Sequence, residues 1–259
     1  MTVFVGNAAI APLYAGAALR SEQVSQLVLG EAAEILAADR EWRRIRTLDG
    51  YESWVHAGYG VELEPPAADA WSREALGWSQ GATARIGDAR AQLPLRARVA
   101  LENGTIRLPD GRRGRVVEGT VVSATEAGPA ARAKAPERWA IEHFAGAPYQ
   151  WGGVTPCGVD CSGLVQTTCL ARGLTLPRDS SAQVACGAPV PLDDVRPGDL
   201  LFFRGDGAAI THVAFAGEAD TLVHSTVACG GVVQEGWLPG TRAAALRERL
   251  VAARRLEAR

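Results

Sequence analysis

From residue 199 onward, short apolar runs are separated by turn residues: DLLFFRG (199–205), THVAFAGE (211–218), TLVHSTV (221–227) and GVVQEGW (231–237). The runs are strand-length and rich in β-branched and aromatic residues. Gly205-Asp206-Gly207 and Glu218-Ala219-Asp220 fall between them, so the pattern predicts antiparallel strands. The segment before them has a helical period. PERWAIEHFAG opens on Pro136, which suits a first helical turn, and spaces Trp139, Ala140, His143 and Phe144 on one face. A glycine-rich loop follows, APYQWGGVTPCGVD, then a helix from Cys161 to about Ala171 and a second helix after LPRDSSAQ. Helices first and strands afterwards predict an α+β domain over 136–259, with RAAALRERLVAARRLEAR closing it as a terminal helix or a frayed tail.

The amino-terminal half carries an internal match. IRTLDGYESWVHAG (45–58) aligns with IRLPDGRRGRVVEG (106–119), and Ile45/Ile106, Arg46/Arg107, Asp49/Asp110, Gly50/Gly111, Val55/Val116 and Gly58/Gly119 coincide at a constant offset. Each copy reads as strand, Asp-Gly turn, strand, a hairpin whose tight turn needs positive φ that glycine supplies. EILAADREWRRIRT alternates as a strand pair before the first hairpin. Duplicated hairpins in blocks of this size predict two small β-barrels, 1–60 and 61–125. VVSATEAGPAARAKA (121–135) is small, polar and aperiodic, which is linker composition and puts a domain boundary there.

Composition adds limits. The chain has 259 residues, room for two ordinary domains or three small ones; 47% are apolar, 22% charged, and the net charge is -2. A charge without a strong sign gives no reason to expect nucleic acid or an acidic membrane as partner. MTVFVGNAAIAPLYAGAALR lacks a basic region and is interrupted by Asn7 and Pro12, unlike a signal peptide. No segment approaches the roughly 20 apolar residues of a bilayer span, so a soluble, cytoplasmic protein is expected. The cysteines, 157, 161, 169, 186 and 229, are odd in number and contain no C-x-x-C, so reduced thiols and no metal or cofactor are expected.

The chemistry centres on GVDCSGLVQTTCLARG (158–173). A helix amino terminus favours thiolate, and Cys161 stands there, preceded by Asp160 and followed by the small Ser162 and Gly163. Of four histidines, His212 and His224 fall on consecutive strands, where pairing brings such positions within reach. Alternation puts His212 with Ala214 on one side and Val213 with Phe215 on the other. One imidazole then serves as base and the other as its orienter. Taken one at a time, a cysteine at a helix start is more often a buried structural thiol and a strand histidine more often a hydrogen-bonded interior residue than a base, and His143, beside Phe144, is placed in that structural class.

The words PYQWGG, DCSGLVQ, LPRDSSAQ, RPGDLLFF and THVAFAG, in this order and spacing, resemble the NlpC-type cysteine peptidases of bacterial cell walls, a papain-like family, over about 136–237. The resemblance implies Cys161 as nucleophile, His212 as base, His224 as the third polar residue and Tyr149 over the catalytic centre. RSEQVSQLVLGEAAEIL (20–36) with WRRIRTLDGYESWV resembles the SH3-like domain of the subfamily that cleaves γ-D-glutamyl-L-diamino acid bonds in murein peptides. In that subfamily an acid and a tyrosine of the barrel help form the pocket for a free amino terminus. Here they match Glu22 and Tyr51, while Trp151, Asp160, Ser162 and the Asp179-Ser180 pair match groove residues. The expected substrate is L-Ala-γ-D-Glu-diamino acid peptide, its charged amine paired with Asp179 or Glu22. Such specificity implies recycling of wall fragments. The second barrel has RRGR where the first has YESW, lacks the pocket aromatic, and is given a structural or spacing role. Two other readings share these features: a wall-fragment binding protein with an inactive papain-like domain, and a thiol acyltransferase or amidase.

Overall fold

The structure, a computed structural model, describes residues 2–256. The chain divides into two compact units, one ending at Ala127 and the other starting at Gly128. The first unit contains β1 (Val3–Gly6), β2 (Ile10–Tyr14), β3 (Gln23–Val28), β4 (Ala32–Asp39), β5 (Trp42–Arg46), β6 (Glu52–His56) and β7 (Gly60–Leu63). These form one seven-stranded sheet in the order β3-β2-β6-β5-β4-β1-β7. Phe4, Leu13, Leu27, Ile45 and Val55 fill its core. Then come α1 (Pro65–Glu74), β8 (Gly77–Ile86), β9 (Ala89–Leu93), β10 (Arg98–Glu102), β11 (Thr105–Arg107) and β12 (Arg113–Ser123). The five-stranded sheet β10-β11-β12-β8-β9 has an added β10–β8 pairing that turns four strands into a ring. Helix α1, which the alternation pattern did not predict, buries Trp71 with Val5 and Ala100.

Both predicted hairpins form. In the first, Thr47 N–H donates to Tyr51 O and Gly50 N–H to Thr47 O; in the second, Leu108 N–H donates to Arg112 O and Gly111 N–H to Leu108 O. Gly50 and Gly111 take φ of 83° and 85°, the conformation that only glycine adopts at little cost. The two sheets of this unit are joined at Gly30. Arg98 N–H donates to Leu29 O at 2.7 Å, Trp71 Nε1–H to Gly30 O at 2.9 Å, and Arg96 Nε–H to Glu31 Oε1 at 2.6 Å.

The second unit follows α2 (Ala124–Arg132), within which the division falls, and holds α3 (Pro136–Phe144), β13 (Val154–Thr155), β14 (Gly158–Val159), α4 (Cys161–Ala171) and α5 (Ser180–Gln183). After them run β15 (Ala188–Val190), β16 (Leu200–Arg204), β17 (Ile210–Ala216), β18 (Thr221–Thr226), β19 (Gly231–Gly236) and β20 (Leu250–Arg255). Six of these strands form the sheet β15-β20-β16-β17-β18-β19. Leu201, Phe203, Ala214, Leu222 and Trp237 make a core on it, and α4 packs across β17 and β18.

Three expectations are corrected. The 242–256 segment is a 3-10 turn, Arg242–Arg249, and a strand, β20, inserted between β15 and β16. Its Ala/Arg/Leu composition favours helix, but pairing with β16 buries Ala253 and ties Arg255 to Asp199, and tertiary context overrides propensity. The 121–135 stretch is not irregular: Val121 and Val122 pair with Ser79 and Trp78, and the alanine-rich run after them forms α2. No long helix follows LPRDSSAQ. A single turn, α5, lies inside it, ended by Gly187 at φ 80° and by the strand that begins at Ala188.

Gly30 and Gly50 make a matched pair for a stability test. Both have positive φ, yet a Cβ on Gly30 would stand 1.9 Å from Arg98 O, whereas nothing lies within 4 Å of one on Gly50. Gly50→Ala should cost about 1 kcal/mol, and Gly30→Ala about 2–4 kcal/mol, because a backbone carbonyl must move as well. Urea denaturation of the two variants checks this, and equal losses would contradict it.

Candidate active site

Helix α4 begins at Cys161 because Asp160 caps it: φ -94° and ψ 179° put Asp160 in extended backbone, and its Oδ1 accepts the Gly163 N–H at 2.7 Å. The same carboxylate accepts Gly152 N–H at 2.8 Å, Ser162 Oγ–H at 3.2 Å, and two bonds from Arg178, Nη2–H to Oδ2 at 2.5 Å and Nη1–H to Oδ1 at 3.1 Å. Arg178 also donates to Ser162 Oγ at 2.8 Å. Its side chain is 2% exposed and that of Asp160 7%, so this ion pair is fully internal. The glycine loop is drawn against the helix start. A Cβ on Gly163 would meet Gly153 O at 2.1 Å, and Thr167 Oγ1–H donates to Val154 O at 2.8 Å.

Cys161 is buried at the head of α4, which packs on β17, and the Val213 backbone N–H, next to His212 in sequence, acts on its thiol. Burial pushes the thiol up to about 12; Asp160 adds to the rise, and the Val213 and Ser162 N–H groups oppose it. His212 lies against Phe203, with ring centroids 5.7 Å apart, and burial, helped by neighbouring His224, pushes it down to about 3. In both groups burial favours the uncharged form.

His212 Nε2 is 2.8 Å from His224 Nδ1, and His224 Nε2 is 2.8 Å from Glu235 Oε1. Arg242 closes the series, donating from Nε to Glu235 Oε2 at 2.9 Å and from Nη2 to Oε1. His224 is 1% exposed. Desolvation lowers its pKa, and the Glu235 hydrogen bond works against that shift. Tyr149 is half-buried, and burial followed by the nearby thiol and Asp160 pushes its hydroxyl up to about 12, so it stays a donor.

The remaining expected residues are spread over both units. Asp160 and Ser162 are buried and held by Arg178; Ser180 is buried at the start of α5, and Asp179 is exposed, its charge felt by Arg178. Trp151 is 59% exposed. In the first unit Glu22 precedes β3 and Tyr51 precedes β6; both strands run antiparallel to the intervening β2, so the two residues sit at one end of that sheet. His143 stacks on Trp139 at 3.9 Å and bonds to its carbonyl, a structural setting. All five cysteines are free thiols. Arg178, Glu235 and Arg242 do not stand out in the sequence reading. An arginine inside LPRDSS is a visible anomaly among small residues, but Glu235 becomes noticeable only through the β18–β19 register.

Residues 146–251 match the NlpC/P60 family, and 10–61 match the bacterial SH3 domain. The chain is 30% identical to the γ-D-glutamyl-L-lysine dipeptidyl-peptidase of Bacillus subtilis over 226 residues, which is 78% of this chain and 71% of that one. It is 37% identical to the probable endopeptidase NlpC of Escherichia coli over 92 residues, 35% of this chain and 60% of that one. The crystal structure of an NlpC/P60 family protein from Bacillus cereus has the same fold, with a TM-score of 0.82 at 21% identity, covering 98% of this chain and 99% of that one.

Arg178→Ala leaves a buried carboxylate without its countercharge and should cost about 3–5 kcal/mol, whereas Arg178→Met combined with Asp160→Asn should cost less than the single variant. Urea melts of both variants decide it, and a single-variant loss under about 1 kcal/mol would remove the pair from its structural role. The pH dependence has a definite sign. Between 6.5 and about 3 the unfolded chain takes up a proton at His212 that the native chain refuses, so stability falls with acid. Above 9.0 the unfolded chain releases the Cys161 and Cys169 protons, which the native chain keeps to about 12, so stability falls with alkali. Calorimetry across pH should show both limbs, the acid one shrinking in His212→Gln.

Proposed function

Because the chain belongs to the NlpC/P60 family, we propose that it is a cysteine endopeptidase that hydrolyses the γ-D-glutamyl-L-diamino acid bond of murein peptides bearing a free L-alanine amine. The observation that carries this reading is Cys161 at the head of α4, its sulfur against β17, beside the His212–His224–Glu235 series. His212 Nδ1 takes the thiol proton as sulfur attacks the γ-glutamyl carbonyl. The amine of the diamino acid leaves with that proton, and water, deprotonated by the same nitrogen, releases the acyl group from sulfur. Tyr149, protonated and next to the thiol, donates to the developing oxyanion. His224 orients His212.

The substrate class is supported by the Bacillus subtilis relative, whose name specifies a γ-D-glutamyl-L-lysine bond. Asp179, exposed at the start of α5, provides a carboxylate for a peptide ammonium, and Ser180 a hydroxyl beside it. A requirement for a free amine would spare the intact wall, where that alanine is amide-linked, and suits recycling of released fragments in the cytoplasm. The five-stranded sheet of the first unit is, in this reading, a second SH3-like module with a spacing role.

The test is chemical and uses the intact protein. L-Ala-γ-D-Glu-diaminopimelate with a free amine should be cleaved between glutamate and diaminopimelate, and Cys161→Ala should abolish cleavage while the thermal transition stays in place. Acetylating the alanine removes the charge without touching the attacked carbonyl, so kcat/KM should fall roughly thirtyfold to several thousandfold, equivalent to about 2–5 kcal/mol. Values within about threefold would sink the amine requirement and leave a general wall peptidase.

A further inference from the structure

The hydrogen-bond series from His212 to Arg242 has a direction that only its far end can set. Two neutral imidazoles joined Nε2 to Nδ1 can share one proton in either sense. In one sense His212 Nε2–H donates to His224 Nδ1, and His212 Nδ1 is a bare lone pair. In the other, His224 Nδ1–H donates to His212 Nε2, and the proton on His212 then sits on Nδ1, where it blocks acceptance of another. The heavy-atom separation of 2.8 Å suits both.

Glu235 removes that ambiguity. Its ionised carboxylate only accepts, so the 2.8 Å contact with His224 Nε2 requires Nε2–H on His224. A neutral His224 with Nε2–H has an acceptor at Nδ1, which obliges His212 to carry its proton on Nε2. The strand register brings the acid within reach. His224 pairs directly with Val233 and Leu222 with Glu235, so Glu235 lies diagonally across from His224 on the same face of the sheet. Arg242 holds the carboxylate through both oxygens, which keeps it ionised and fixed in position.

We propose that Glu235, clamped by Arg242, is a positioning residue that sets the tautomer of both imidazoles and thereby makes His212 Nδ1 the base toward Cys161. The proposal rests on the assignment of Cys161 and His212 as nucleophile and base, but it concerns proton placement and is measured without substrate.

Nitrogen-15 NMR of histidine-labelled full-length Cys161→Ala protein at neutral pH reads the tautomers directly. Both His212 and His224 should be Nε2–H, and an Nδ1–H signal from His212 in this protein would overturn the proposal whatever any variant does. Adding Glu235→Gln, which keeps the shape but has an amide able to donate as well as accept, should produce a mixture at both rings. In the protein with its thiol, Glu235→Gln should slow iodoacetamide alkylation of Cys161, followed at that residue by peptide mass spectrometry. A wrongly tautomerised base costs up to about 10⁴ in the Ser-His-Asp arrangement; with a second imidazole in between, roughly tenfold is expected. Unchanged tautomers and unchanged alkylation would reduce Glu235 to a surface ion-pair partner. On the peptide substrate kcat should fall with KM nearly unchanged. If the tautomers shift but the peptide is not cleaved by any form, the substrate assignment fails and the positioning role stands.

Discussion

The second unit is organised around one buried charge pair. Arg178 and Asp160 are out of water, and each is multiply bonded: Asp160 by two glycine N–H groups, a hydroxyl and the guanidinium, Arg178 by Asp160, Ser162 Oγ and Gly153 O. A charge pair this deep is tolerable only with good geometry and further hydrogen bonds to its remaining donors and acceptors. That requirement dictates local geometry. The loop must bring Gly152 N–H to the carboxylate, the loop must lie flush with α4, and therefore Gly153 and Gly163 have no space for a side chain. The helix begins where the capped carboxylate ends, which is at the thiol.

The opposing wall is the sheet. Ser225 Oγ–H donates to Val159 O, Tyr149 N–H donates to Gly230 O, and Val232 N–H donates to Ala147 O, so the loop before Cys161 is stitched to β18 and β19, which carry His224 and Glu235. β20, from the far end of the described chain, pairs with β16, which in turn pairs with β17 in the same sheet. A thiol and an imidazole separated by many residues in sequence are thus carried by a helix start and a sheet strand. Their shared burial favours the uncharged form of each, and at the far end of the series Glu235 is paired with Arg242.

The first unit has its own logic. Equivalent hairpins, with the same two turn hydrogen bonds, were used in two different sheets. One sheet is seven-stranded, and the other is partly closed by the β10–β8 pairing. Gly30, with Trp71 and Arg98 against it, joins the two sheets.

The sequence by itself determined what depends on near neighbours. Asp-Gly turns, the alternation in THVAFAG and TLVHST, Pro136 at a first turn and the Asp160 cap before Cys161 are settled within a few residues, and each element appears where its residues put it. The places of Cys161 and the two histidines were legible for the same reason: a thiol at a helix start and imidazoles on adjoining strands are local patterns. What only the tertiary structure decided depends on partners distant in the chain. Leu250–Arg255 is a strand because β16 offers it an edge and a buried seat for Ala253, a choice its helix-prone composition opposes. Arg178 is internal because Asp160 awaits it, and Glu235 reaches His224 because the β18–β19 register sets the diagonal. Periodicity reports which face a residue occupies, whereas the identity of the group it meets there is fixed only when the chain closes on itself, because pairing and burial energies act between residues that sequence order does not bring together.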